Sequence, residues 1–119
     1  MSHIMSAYAE SARINAIENH FGSHLEQINA PQKYILMSLL AQYCFVQFDG
    51  EELDPDFTFE ACLGLSQIGQ HADATTASIW LTLEGASESE LQGVMLAIAS
   101  QLFDGEYARL HPKSAVLQG

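Results

Sequence analysis

Basic residues are what this chain has least of: four lysines and arginines stand against fifteen aspartates and glutamates in 119 residues, a formal net charge of −11. All four (Arg13, Lys33, Arg109 and Lys113) lie outside the 75 residues from Tyr34 to Ala108, and that stretch carries twelve carboxylates. No carboxylate within it can find a Lys or Arg partner in the same segment, so most of the twelve are left to water, to helix N-termini or to a cationic partner. A negative field of this size repels phosphate backbones and attracts basic surfaces, so direct nucleic-acid binding is excluded. The same absence leaves the centre of the chain without a cation to hold an oxyanion or a phosphate. The expectation is a protein that is not an enzyme and uses no cofactor.

Cysteine is scarce too. Cys44 and Cys62 sit among aromatic and aliphatic residues with no cation near in sequence, which predicts inert, high-pKa thiols in a reducing compartment. No apolar run reaches the roughly 18 residues of a membrane-spanning helix. The longest approach, Tyr34 to Phe48, is interrupted by Ser38, Gln42 and Gln47. The opening Met1-Ser2-His3-Ile4-Met5 lacks the basic region of a signal peptide, and Met5 is a second candidate start. A cytoplasmic location follows as the expectation. Glycine-rich phosphate loops, Cys-x-x-Cys pairs and low-complexity linkers are all missing.

What is present suits one folded domain over residues 1–119. Hydrophobic residues make up 48% and aromatics 9%, too much for disorder in spite of the charge. A chain of this length buries roughly two thirds of its unfolded surface and needs neither metal nor disulfide to fold.

Ile14, Ile17, Phe21, Leu25 and Ile28 recur at helical spacing, predicting an amphipathic helix from about 6 to 29. Gly22 and the Ser23-x-x-Glu26 capping pattern offer a break inside it. Pro31 suits the first turn of a second helix, whose apolar positions from Tyr34 to Leu40 nearly surround the axis. Beyond Gln42, Tyr43 to Phe48 is rich in strand formers, and Asp49-Gly50 reads as a turn or a helix stop. Phe57-Thr58-Phe59 alternates, and Gly69 to Ala74 reads as loop. Thr76 to Glu84 alternates again, with Ala77, Ile79, Leu81 and Leu83 on one face, as in a strand. Ser87-x-x-Glu90 caps a last helix bearing Leu91, Val94, Met95, Ile98 and Leu102, stopped at Asp104-Gly105. The tail, 107–117, reads as extended. Phe-Asp-Gly-Glu occurs at 48–51 and 103–106, each time after an apolar segment, as a repeated glycine stop. The fold class expected is α+β, with N-terminal helices, a small antiparallel sheet and a packed amphipathic helix. An all-α bundle is the alternative, since 43–69 also suits helix.

Several constellations fall short of a chemical site. Asp49 to Glu60 has the length and the end residues of a calcium loop, but its fifth residue, Leu53, offers no ligand, and Asp54 stands where the sharp turn requires glycine. His20 and His24 share a face if their helix is continuous, yet no further ligand pair accompanies them. Ser66 in Gly64-Leu65-Ser66-Gln67-Ile68 misses a nucleophile elbow because glycine is needed at 68. No metal site is expected.

The aromatics Phe45, Phe48, Phe57 and Phe59 flank the densest acidic block, with Glu51, Glu52, Asp54 and Asp56 between them. An apolar surface rimmed by carboxylates fits a partner protein with a basic or apolar segment. A core with a charged loop over it fits the same residues. An acidic inhibitor or nucleic-acid mimic blocking a basic site on its target is a further reading of the charge.

From Phe57 onward the expected order is strand, loop, strand, capped helix, glycine stop and strand. With Ser78-Ile-Trp-Leu-Thr-Leu-Glu-Gly-Ala-Ser-Glu-Ser-Glu-Leu91 and the helix after it, this resembles the type III secretion chaperones of the CesT/Tir-chaperone class, over about half the chain. The resemblance implies a virulence-associated adaptor that holds an extended segment of a secreted protein without ATP. It also implies a homodimer whose interface falls on Val94, Ile98 and Leu102.

Overall fold

The computed structural model describes residues 11–48 and 57–108, and among them it contains five α-helices and no β-strand. They are α1 (Ala12–Phe21), α2 (Ala30–Phe48), α3 (Phe59–Leu65), α4 (Ala74–Thr82) and α5 (Glu88–Asp104), with a 3₁₀ turn at Gly69–His71. The α+β expectation is therefore wrong, and its all-helical alternative fits the described residues. Pairing of the β type is confined, among these residues, to an isolated parallel bridge between Asn29 and Ala108. Most of the expected extended tail, 107–117, lies outside the described residues.

The error has a physical cause at each strand. Thr76 to Glu84 is so apolar that two periods fit it. The structure buries Thr76, Ile79, Trp80 and Leu83, the i, i+3, i+4, i+7 set of a helix rather than the alternate set of a strand. What settles α4 is its start. Asp73 is the N-cap, accepting the Thr76 backbone N–H at 2.8 Å, a cap that only a helix uses. That bond, with the Gln32 amide at 2.7 Å, holds the Asp73 carboxyl below its ordinary range. Thr58, expected inside an alternating strand, likewise caps α3 by accepting the Ala61 N–H at 3.0 Å. Tyr43 to Phe48 forms the end of α2. Leu36, Leu40, Tyr43 and Gln47 continue one inward stripe, and no breaker falls between Pro31 and Asp49. Strand propensity worth tenths of a kcal/mol per residue yields to that packing.

The helical expectations fare better. α1 ends at Gly22, whose φ of 98° is open to glycine and strained for other residues. The break at Gly22 is thus real, but no helix starts at Ser23. Asn29 and Gln32 instead make the reciprocal cap of α2, each side chain accepting the other's backbone N–H at 2.8 and 2.9 Å. Between the two helices Leu25 sits at φ 50° and is fully buried. Burying its side chain gains about 2 kcal/mol, which outweighs about 1 kcal/mol of left-handed strain. Ser87 caps α5 and Gly105 closes it at φ 77°, with the Glu106 N–H donating to the Gln101 carbonyl at 2.8 Å.

Ile14 and Ile17 from α1, Leu25 and Ile28 from the connection, and Leu36, Leu39 and Leu40 from α2 form one core with Phe59, Trp80, Leu91 and Ile98. α2 is its central element, packed on α3, α4 and α5. Arg13 and the Ser11 hydroxyl both donate to the Glu90 carboxylate, at 2.9 and 2.7 Å, tying the starts of α1 and α5 together.

A charged residue sits inside. Lys33 is completely buried, and its ammonium donates to the Gln101 side-chain oxygen at 2.8 Å, the His24 carbonyl at 2.8 Å and the Glu106 carbonyl at 2.5 Å. Three donors meet three oxygens, none of them a carboxylate, so the hydrogen bonds are filled while the charge is not neutralised. Burial pulls the Lys33 pKa down to about 8, against the raising effect of Glu26 and Glu106. The residue clamps the exit of α5 to the α1–α2 connection, beside the Asn29–Ala108 bridge.

Candidate functional site

The feature that the core leaves unused is the solvent face of α2. From Tyr34 to Phe48 this helix has no charged residue on any side, whereas the outer face of a surface helix ordinarily carries charge. Tyr34 is 60% exposed and Phe45 68%. With Ser38 and Ala41 between them they follow the 4-3-4 spacing of a single stripe. Val46 extends its C-terminal end. This uncharged stripe is held out to water and takes no part in the core.

Glu84 and Glu88 act on the other side of α2: burial is the main cause that raises the Tyr43 hydroxyl and the Cys44 thiol, and these two carboxylates add to it. Glu60 is exposed in the first turn of α3. Of the two Lys or Arg residues described, Arg13 is held by Glu90 and Lys33 is buried. Among the described residues no free Lys or Arg offsets these carboxylates.

The residues singled out in the sequence separate into three groups. Phe45 stands on this face, exposed. Phe57 is partly buried and stacks on Tyr43 at a ring distance of 6.0 Å, with its carbonyl accepting the Gln47 amide. Phe59 is a core residue, its ring 4.3 Å from both Tyr43 and Trp80 while its carbonyl accepts the Trp80 indole N–H at 2.8 Å. It cannot contact a partner without unfolding α3. Phe48 lies in the last turn of α2, and Glu51, Glu52, Asp54 and Asp56 lie outside the described residues, as does most of the calcium-like loop.

The expected dimer residues move inward as well. Val94 and Ile98 are buried among helices of the same chain and Leu102 is half-buried. The large apolar residues that α5 exposes are Leu96 and Phe103. His20 and His24 do not share a helix, since α1 stops at Phe21. His24 lies in the connection, 3.9 Å from the Glu26 carboxylate. No group of three metal-ligating side chains occurs among the described residues. Ser66 ends α3 and its buried hydroxyl accepts the Gly69 N–H at 3.2 Å. Cys62 is buried against the Leu39 carbonyl, and burial raises its thiol to about 11.

Lys33 and the exposed stripes escaped the sequence reading. A lysine flanked by Gln32 and Tyr34 looks like any surface lysine, because its three oxygens come from residues 9, 68 and 73 positions away. The stripes did leave a signal: uncharged runs at 34–48 and 91–103 in a chain of net charge −11.

Comparison with protein-family models, with curated proteins and with solved structures gives no match to this chain. Among the described residues no helix is long and apolar enough to cross a membrane.

Proposed function

We propose that the chain is a non-catalytic, chaperone-like adaptor whose α2 face holds an apolar, positively charged segment of a partner protein. One observation supports this: the Tyr34–Ala41–Phe45 stripe is exposed and uncharged, α3 packed on α2 carries the exposed Glu60, and neither the Lys nor the Arg among the described residues is free to offset it. Apolar contact supplies affinity there, and the acidic surroundings select for lysine and arginine. Nothing in the proposal depends on the resemblance to type III secretion chaperones, whose matching strand folds here as α4.

The test uses a synthetic amphipathic helix of leucine and lysine as the probe, titrated calorimetrically into wild type and Phe45→Ala. Position 45 is exposed, so the substitution leaves stability within about 0.5 kcal/mol. Burying the ring in a complex is worth about 2 kcal/mol, so affinity falls roughly 30-fold. Equal affinity for the two proteins, or equal affinity for a leucine–glutamate probe, overturns the proposal.

A further inference from the structure

α5 presents a second uncharged face, and its chemistry differs from that of α2. Gln92, Leu96, Ala99 and Phe103 are all exposed, Leu96 by 56% and Phe103 by 90%. They are spaced 4, 3 and 4 residues apart, the seam of a two-helix contact. No charged residue occurs from Leu91 to Phe103. Most contacts between two copies of a chain with net charge −11 would bring carboxylates together; this face is one that does not.

The seam also complements itself. Set antiparallel to its own copy about a two-fold axis midway between Leu96 and Ala99, the helix places Leu96 against the partner copy's small Ala99, and Phe103 against Gln92. Large side chains then fill the spaces left by small or flexible ones, which is the requirement of an isologous interface. The same register sets Asp104 opposite the partner copy's Leu91. Glu90 is already neutralised by Arg13 within its own chain. Antiparallel helices bring opposite dipole ends together as well.

We propose that two copies of this chain associate through the outer face of α5, antiparallel, with Leu96, Ala99 and Phe103 in the seam. The surface is distinct from the α2 face, and the inference stands whether or not a cationic segment binds there. A helix of 17 residues is about 25 Å long. One such face buries well under the roughly 800 Å² per partner of a permanent complex. The result is a concentration-dependent dimer.

Sedimentation equilibrium of the full chain over a wide concentration range tests this, with Leu96→Asp and Phe103→Asp as variants. Wild type shifts towards twice the monomer mass as concentration rises. Each substitution, at an exposed position that leaves the helical circular dichroism unchanged, weakens self-association at least 30-fold. Added salt strengthens the wild-type dimer by screening two acidic chains, whereas it weakens binding of the leucine–lysine probe. As a second variant, Gln92→Cys with Phe103→Cys gives a disulfide-linked dimer on oxidation. The two positions in one chain lie too far apart along the helix to bridge each other. A strict monomer at every concentration and salt, or a dimer indifferent to both aspartate variants, overturns the inference. A monomer that still binds the probe leaves the α2 proposal standing; a dimer that ignores the probe removes that proposal alone.

Discussion

Replacing Lys33 by Met keeps most of the buried stem and removes the ammonium, and its effect on stability depends on pH in a direction opposite to that of a solvent-paired lysine. Burial lowers the folded-state pKa from 10.5 to about 8. Between those values the unfolded chain binds more protons than the folded one, so the Lys33 contribution to stability rises as pH climbs through that window. The full difference of two and a half pKa steps corresponds to about 3 kcal/mol, and about 2 kcal/mol of it appears between about pH 7 and about pH 9.5. Cys62 works the other way. Its thiol is raised to about 11, so it contributes stability below its unfolded pKa that is lost as pH rises, but wild type and Lys33→Met share that term. At neutral pH the variant leaves the Gln101 oxygen and the His24 and Glu106 carbonyls without their donor, a loss of about 3 kcal/mol. Urea unfolding of both proteins, followed through the single buried Trp80, measures the difference at the two pH values. The advantage of wild type over the variant grows with pH by about 2 kcal/mol. An advantage that stays constant or shrinks refutes the assignment of a buried, unneutralised ammonium.

Two further substitutions probe the packing and the closure of α5. Phe59→Ala, removing a ring in contact with Tyr43 and Trp80, lowers unfolding free energy by about 3–5 kcal/mol; a loss below about 1 kcal/mol shows that Phe59 is not a core residue. Gly105→Ala, at φ 77°, lowers it by about 1 kcal/mol through left-handed strain, and hydrogen exchange rises first at the Glu106 amide bound to Gln101. Unchanged stability and protection there show that α5 ends some other way.

The sequence by itself settled where local chemistry is strong. Ser87 with Glu90 and the following Gly105 located both ends of α5, and the Ile14–Ile17–Leu25–Ile28 stripe named core residues although the helix breaks at Gly22. Caps and positive-φ glycines act over three or four residues, so a linear reading sees them whole. It also settled the charge, a formal −11. Where a segment is apolar on every side, as at 34–48 and 76–84, helix and strand patterns coincide; the Asp73 cap decides for α4, and at 34–48 the packing of α2 against α3, α4 and α5 decides. The same packing decided that Phe59 turns inward while Phe45 faces water, and that Val94 and Ile98 are core while Leu96 and Phe103 are surface. Lys33 is the sharpest case: three oxygens distant in sequence converge on one ammonium, and such convergence exists only once the tertiary structure has formed.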